Sequence, residues 1–255
     1  MSQPAILLHG LYGSGNNWRS IARRFEKDYT LYTPDLRCHG RAPHHPDMRY
    51  TTLAADIIDL LDKENIDQAK LVGHSMGGKV AMATALLEPT RVSGLMVVDI
   101  APVTYDHSRE HGSLINAMQA LDLTAVNSRE DADQALSKSI PNTPVRQFLL
   151  TNLVRQDNQW AWRLPLDILA DQLPELQDWP ASLSGRQWDG PAHFVYGGQS
   201  DYVLPSSHAT IRQFFPAATL HCIDGVGHWV HAEKPDAFAT ELHSFLTGKH
   251  HVRGL

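Results

Sequence analysis

A serine between two glycines is the most informative feature of the sequence, in the segment Gly73-His74-Ser75-Met76-Gly77. The pattern G-x-S-x-G is typical of a nucleophile elbow, a sharp turn from a strand into a helix that exposes the serine hydroxyl. A predicted strand, Lys70–Val72, precedes the serine, and a run of helix-forming residues, Lys79–Leu87, follows it. We therefore predict that Ser75 is a nucleophile and that the N-terminus of the next helix faces the negative charge developing on the substrate.

A serine hydroxyl is a weak nucleophile and needs a neighbouring base. His228 follows the last predicted strand after a glycine turn, which places it at the same edge of a parallel sheet as Ser75. The competing histidines are less well placed, because His221 lies within a predicted strand, His243 within the last helix, and His231 beyond the glycine turn. We predict that His228 is the base.

Two aspartates are candidates for the acid that orients the base and stabilises its protonated form. Asp99 ends the predicted strand Leu95–Val98, and Asp201 lies in the loop after the next predicted strand, His193–Tyr196. Both positions lie at the carboxyl edge of the sheet, where α/β proteins bind their ligands. The residues alone leave both acids open.

The oxyanion of an acyl-transfer reaction needs backbone N–H donors. Met76 follows the nucleophile and is the first expected donor. Leu11, in the loop after the first predicted strand, is the second. Gly10, Gly13 and Gly15 allow this loop to approach a substrate closely. A phosphate-binding loop is disfavoured because no Gly-Lys-Ser/Thr sequence ends the glycine-rich stretch.

Short apolar runs alternate with helical patterns in the first and last parts of the chain, which predicts a parallel sheet flanked by helices. The predicted strands are Ala5–Leu8, Thr30–Thr33, Lys70–Val72, Leu95–Val98, His193–Tyr196 and Thr219–Ile223. Between residues 103 and 189 we predict four helices and no strand, over Leu114–Leu121, Asp131–Lys138, Val145–Leu153 and Leu166–Leu173. We therefore expect an α/β core formed by residues 1–102 and 190–255, with residues 103–189 inserted as a helical lid.

The net charge of −6 over 255 residues argues against binding to nucleic acid or to an anionic membrane surface. The sequence has neither a signal-peptide pattern nor an apolar run of membrane-spanning length, so we expect a cytoplasmic protein. The two cysteines, Cys38 and Cys222, do not indicate a disulfide framework. These two cysteines are too far apart in the sequence to form the C-x2-C pair of a zinc site, and we expect neither a metal nor a cofactor. The oligomeric state is not indicated.

Four strings of the sequence carry a resemblance to a known family, namely His9–Ser14, Gly73–Gly78, Asp99–Pro102 and Gly227–Pro235. Together they resemble the YbfF-type bacterial esterases of the α/β-hydrolase superfamily, the group to which α/β-hydrolase domain-containing protein 11 also belongs. The resemblance implies the α/β-hydrolase fold. It also favours Asp99 over Asp201 as the acid, because these relatives keep the aspartate of the Asp-Ile-Ala-Pro string.

The same resemblance implies how the sheet and one loop are arranged. Only eight residues precede His9, so we expect the family's first β-hairpin to be missing and six strands to remain. The Thr30 and Thr219 strands would form the two edges. The loop Asp35–Gly40 would support the oxyanion loop, with Arg37 pairing with Asp35 or a nearby carbonyl.

The predicted function is a serine esterase that hydrolyses short- to medium-chain carboxylic esters, or acyl thioesters, through an acyl-enzyme on Ser75. The alternatives are other chemistry on the same fold, such as a C–C hydrolase, a lyase or a cofactor-free peroxidase, and a non-catalytic ligand sensor. A dehalogenase is disfavoured because it needs an aspartate where Ser75 stands.

Overall fold

A six-stranded sheet forms the centre of the molecule, which a computed structural model describes over residues 3–106 and 108–248. In chain order the strands are β1 (Ala5–Leu8), β2 (Leu31–Tyr32), β3 (Ala69–His74), β4 (Val92–Val98), β5 (Leu153–Gln156), β6 (Gln159–Trp162), β7 (Ala192–Gly197) and β8 (Thr219–Ile223). The large sheet has the order β2-β1-β3-β4-β7-β8, and all its neighbouring strands are parallel. The predicted six strands and both predicted edge strands are confirmed.

Helices connect the strands and cover both faces of the sheet. In chain order they are α1 (Arg19–Ala22), α2 (Tyr50–Lys63), α3 (Met76–Leu87), α4 (Ser108–Ala120), α5 (Arg129–Leu136), α6 (Thr143–Leu150), α7 (Leu166–Gln177), α8 (His208–Phe214), α9 (Val230–Glu233) and α10 (Pro235–Thr247). None of the described helices is both long and apolar enough to cross a bilayer.

Strand β1 shows why the sheet is buried on both faces. Its side chains alternate, so that Ile6 and Leu8 join one apolar cluster with residues of α2, α3 and the insertion. Ala5 and Leu7 join a second cluster on the opposite face, which includes residues of α1 and α10. A continuous apolar run is the expected signature of a strand covered in this way.

The apolar residues Trp18, Ile21, Ala22 and Phe25 have the spacing of one helical face, which predicts a single helix, but the segment differs from this prediction. It begins with a 3₁₀ turn over Gly15–Trp18, continues as the one-turn helix α1 and ends in turns. Trp18, Ile21 and Phe25 are nevertheless buried. The apolar spacing therefore identified the buried face but not the length of the helix.

The insertion between β4 and β7 contains the four predicted helices, α4 to α7, and also a β-hairpin. The expectation of no strand in this segment was wrong. β5 and β6 pair antiparallel, with Leu153 opposite Trp162. Their two-residue turn, Asp157 and Asn158, has φ values of 49° and 64°, the conformation that tight hairpins require. The hairpin was missed because each strand has only four residues and lies among helical patterns.

Candidate active site

Ser75 lies in the turn between β3 and α3, with φ 53° and ψ −121°. A non-glycine residue rarely adopts this conformation, and residues held in it cluster at functional sites. A Cβ on Gly73 would lie 2.1 Å from the carbonyl oxygen of Gly77, and a Cβ on Gly77 would lie 2.4 Å from that of Leu8. Both glycines are therefore required for the turn to pack against β1 and against itself.

His228, in the loop between β8 and α9, is bonded to Asp99 at the end of β4. The Nδ1 atom of His228 lies 2.7 Å from Oδ2 of Asp99. The Asp99 carboxylate is fully buried and also accepts hydrogen bonds from the N–H of Gly197, at 2.9 Å, and from the Ser200 hydroxyl. The carboxylate orients Nδ1–H toward itself, which leaves Nε2 of His228 unprotonated and available as a base.

The alternative acid, Asp201, occupies a different place. It is exposed and lies on the lining of the large cavity that contains Ser75 and His228. The structure therefore joins Asp99, and not Asp201, to the imidazole.

The rival histidines have structural partners of their own. His221 lies on β8, with Nε2 3.3 Å from Glu241. His243 stacks on Phe25. His231 is buried and stacks on Trp18 with ring centroids 4.6 Å apart.

Leu11 lies in the loop after β1, and Met76 is the first residue of α3, as predicted for the two oxyanion donors. Within the described residues, no hydrogen bond joins the N–H of Leu11 or of Met76 to a protein acceptor. The first N–H groups of a helix have no partner within the helix, so that of Met76 is available to a ligand. Leu11 and Ser75 line the same cavity.

Two buried histidines hold the loop after β1 in place. His9 donates from Nδ1 to the carbonyl of Gly10, and its Nε2 accepts the N–H of Leu36 at 3.0 Å. His39 accepts the N–H of Tyr12 through Nε2 at 3.1 Å. Burial lowers the pKa of His9 to about 4 and that of His39 to about 3, so both rings remain neutral acceptors at neutral pH.

Of the two partners expected for Arg37, the structure shows a nearby carbonyl and not Asp35. Its guanidinium forms a bidentate ion pair with Asp56 on α2 and donates to the carbonyl of Asp47. Asp35 instead accepts the N–H groups of Gly15 and Arg41. The loop Asp35–Gly40 therefore supports the oxyanion loop, as the resemblance implies. The contacts come from the side chains of Asp35 and His39 and from the N–H of Leu36, and not from the arginine.

A cavity of about 630 Å³ is lined by both Ser75 and His228. The insertion provides much of its apolar wall, from Leu114 on α4 and from Val145, Phe148 and Leu149 on α6. The insertion's four tryptophans, at positions 160, 162, 179 and 188, do not line this cavity. Aromatic side chains from the core, among them Trp229 and Tyr202, line it instead.

A second, smaller cavity of about 40 Å³ is lined by both Ser75 and Lys79. The lysine is almost fully buried on α3, and its Nζ donates to the carbonyls of Gln177 and Asp178 at 2.9 and 2.7 Å. Burial lowers the pKa of Lys79 to about 7, although Asp178 opposes the shift. Lys79 was not among the site residues predicted from the sequence. The available signal was a lysine in a helix that is otherwise composed of small and apolar residues.

Comparison with known proteins agrees with this geometry. Residues 4–235 match the family described as the alpha/beta hydrolase fold. The chain is 41% identical over 250 residues to the mouse sn-1-specific diacylglycerol lipase ABHD11, covering 95% of this chain and 81% of that protein. It is 38% identical over 245 residues to the esterase YbfF of Escherichia coli, covering 96% and 93% of the two chains.

A solved structure extends the likeness to three dimensions. A marine microorganism esterase is 35% identical, superimposes with a TM-score of 0.92, and covers 96% of this chain and 95% of its own. The predicted resemblance is confirmed by the family match and by these relatives. The chain belongs to the α/β-hydrolase family.

Proposed function

We propose that this protein, a serine ester hydrolase of the α/β-hydrolase superfamily, cleaves short- to medium-chain carboxylic esters through an acyl-enzyme on Ser75. The observation that carries the proposal is the 2.7 Å contact between Nδ1 of His228 and the buried carboxylate of Asp99. The same cavity contains His228 and the serine of the strained turn. A nucleophile, a base and an orienting acid are the three groups that acyl transfer through serine requires.

In the acylation half-reaction, Oγ of Ser75 attacks the ester carbonyl while Nε2 of His228 takes the hydroxyl proton. The N–H groups of Leu11 and Met76 bind the oxyanion of the tetrahedral intermediate. Asp99 stabilises the imidazolium. The intermediate collapses by breaking the bond to the alcohol oxygen, which receives the proton from His228 as the alcohol leaves.

In the deacylation half-reaction, water takes the place of the alcohol. His228 removes a proton from the water, whose oxygen attacks the acyl carbonyl. Collapse of the second tetrahedral intermediate breaks the bond to Oγ, returns the proton to Ser75 and releases the carboxylic acid. An acyl thioester would react by the same steps, with a thiol as the leaving group.

The inserted segment 103–189 is proposed to act as a lid that sets acyl preference. Its apolar side chains on α4 and α6 face the large cavity, which supports this role. A cavity of this volume is in the range of small-molecule sites and accommodates an acyl chain of several carbons together with an alcohol. A cytoplasmic location, and the absence of nucleic-acid and membrane partners, stay predictions from composition.

The decisive experiment is pre-steady-state hydrolysis of p-nitrophenyl esters from acetate to decanoate, with intact-mass analysis of the protein. We expect a burst of p-nitrophenol and a mass increase equal to one acyl group, located on the peptide that contains Ser75. Release of p-nitrophenol without acylation of Ser75 would contradict the mechanism. No hydrolysis across esters and acyl-CoA thioesters would favour a ligand sensor or another chemistry on this fold.

A further inference from the structure

The backbone on both sides of His228 is held by one carboxylate. Oε2 of Glu233, at the end of α9, accepts the N–H of Gly227 at 2.9 Å. Oε1 of the same side chain accepts the N–H of Trp229 at 3.2 Å. The two oxygens therefore bind the residues directly before and after the histidine. These residues all belong to the string Gly227–Pro235, most of which the mechanism does not use.

The backbone carbonyl of His228 is bound by a residue of the elbow, His74. Nε2 of His74 lies 2.9 Å from the carbonyl oxygen of His228. Because a carbonyl only accepts, this nitrogen carries the proton and donates it. His74 is buried, and burial, together with His231 and His228, holds its pKa well below the ordinary value. The imidazole therefore stays neutral, with its single proton committed to this bond.

We propose that Glu233 and His74 are positioning residues that clamp the backbone of His228, so that its Nε2 stays aligned with Ser75 throughout the reaction. The inference rests on the proposed function and deepens it. Asp99 controls the rotation of the imidazole about its own bonds, whereas the clamp controls the position of the loop that carries it. His74 directly precedes the nucleophile, so its bond ties the base to the elbow itself.

The glycines of the loop explain why its backbone needs such contacts. Gly225 has φ 69°, and the loop carries a second glycine, Gly227, directly before the catalytic histidine. Glycines widen the range of backbone conformations open to a segment. Displacement of a catalytic group by about 1 Å lowers a rate by about 10²-fold. A flexible loop that carries a general base therefore needs contacts that restrict its backbone, and the two side chains supply three.

The test uses the role of His228 as a general acid. An ethyl ester releases a strongly basic alkoxide that must be protonated, whereas p-nitrophenolate leaves without a proton. We compare kcat/KM for ethyl butyrate and p-nitrophenyl butyrate in Glu233→Gln, Glu233→Ala and the wild type. Rates are expressed per active site, counted by stoichiometric labelling of Ser75 with a fluorophosphonate.

We expect a loss of about 10- to 100-fold for the ethyl ester in Glu233→Ala and a several-fold smaller loss for the p-nitrophenyl ester. Glu233→Gln keeps one acceptor oxygen and should fall between Glu233→Ala and the wild type. A variant that merely unfolds in part would lose labelled sites but keep its rate per labelled site.

Asp131→Asn is the matched control. One oxygen of Asp131 accepts the backbone N–H groups of Asn127 and Ser128, both at 3.1 Å, at the start of α5 and away from the lining of the large cavity. This variant should keep both rates. For the second half of the clamp, His74→Gln presents an amide N–H near the position of Nε2 and should retain more of the ethyl ester rate than His74→Leu.

Wild-type rates per active site in Glu233→Ala, or equal losses for the two esters, would overturn the clamp. Equal rates in His74→Gln and His74→Leu would remove His74 from it. Failure of the proposed function is distinguished by Ser75→Ala, since an active Ser75→Ala would overturn the acyl-enzyme itself.

Discussion

The imidazole of His228 stacks on the phenol ring of Tyr202, with ring centroids 4.0 Å apart and planes inclined by 22°. The backbone of Tyr202 is held in place, because its carbonyl accepts the hydroxyl of Tyr105 at 2.6 Å. The Tyr105 oxygen in turn accepts the N–H of Ala101 at 2.8 Å, two residues beyond Asp99. An aromatic face attracts a cation, so this stack favours the imidazolium of the proposed acylation step.

Replacing Tyr202 tests the contribution of the stack. Tyr202→Phe keeps the aromatic face and should retain most of kcat/KM for an ethyl ester. Tyr202→Leu removes the face and should lose about 3- to 10-fold, which corresponds to about 1 kcal/mol of cation–π attraction. Steady-state kinetics at neutral pH measure both. Equal losses in the two variants would show that the phenol hydroxyl, and not the ring, matters.

Ser75→Ala should abolish ester hydrolysis while the fold remains intact. Removal of the proposed triad nucleophile leaves only binding and oxyanion stabilisation, so the rate should fall several orders of magnitude below that of the complete site. Hydrolysis of p-nitrophenyl butyrate and far-UV circular dichroism measure activity and fold. Alanine keeps the Cβ atom that makes a positive φ unfavourable at this position, so we expect little change in the free energy of unfolding. Unchanged turnover would exclude Ser75 from the mechanism.

The two candidate acids predict opposite rankings of two matched variants. Asp99 bonds to His228, so Asp99→Asn removes the charge that stabilises the imidazolium, and a loss on the order of 10⁴ in kcat is expected. Asp201→Asn alters an exposed group of the cavity lining and should have a mild effect. Steady-state kinetics on the same ester compare them. The reverse ranking would return the acid to Asp201.

The side chains of α6 that line the large cavity should determine the preferred length of the acyl chain. Phe148 lines the large cavity, and its ring lies 6.0 Å from that of Trp229. Phe148→Ala enlarges the cavity and should shift the preference toward longer chains, with little change for acetate esters. Trp160→Ala is the control, since Trp160 is an aromatic residue of the insertion outside the cavity lining. A profile of kcat/KM against chain length that is the same in Phe148→Ala as in the wild type would place specificity elsewhere.

His231 should make the protein less stable in acid. Burial lowers its pKa to about 4, below the ordinary value of 6.5, so the unfolded chain binds the extra proton between these values. Stability is therefore lost as the pH falls from about 6.5 to 4. His231→Phe keeps a ring beside Trp18 and removes this contribution, roughly 3 kcal/mol at the acid end. Urea unfolding at pH 7 and pH 4.5 measures the difference. Equal acid sensitivity of the variant and the wild type would contradict the prediction.

The sequence by itself determined the sheet and the residues that its turns display. Apolar runs such as Ala5–Leu8 are strands because a buried parallel strand needs apolar side chains on both faces. The glycines around Ser75 indicate the elbow because only glycine permits the close contacts of that turn. These signals are local, since each depends on neighbours along the chain. The same holds for His228, which a glycine turn places at the carboxyl edge of the sheet.

The tertiary structure decided what depends on distance between separate segments. Asp99 and Asp201 follow adjacent strands, and only the packing of the β7–α8 loop against β4 determines which carboxylate meets the imidazole. Three further features could not be predicted from the sequence: the hairpin β5–β6, the burial of Lys79 next to α7, and the hydrogen bonds of Glu233 to the loop of His228. Each arises from contacts whose geometry no periodicity encodes, because side-chain hydrogen bonds depend on positions accurate to a fraction of an ångström.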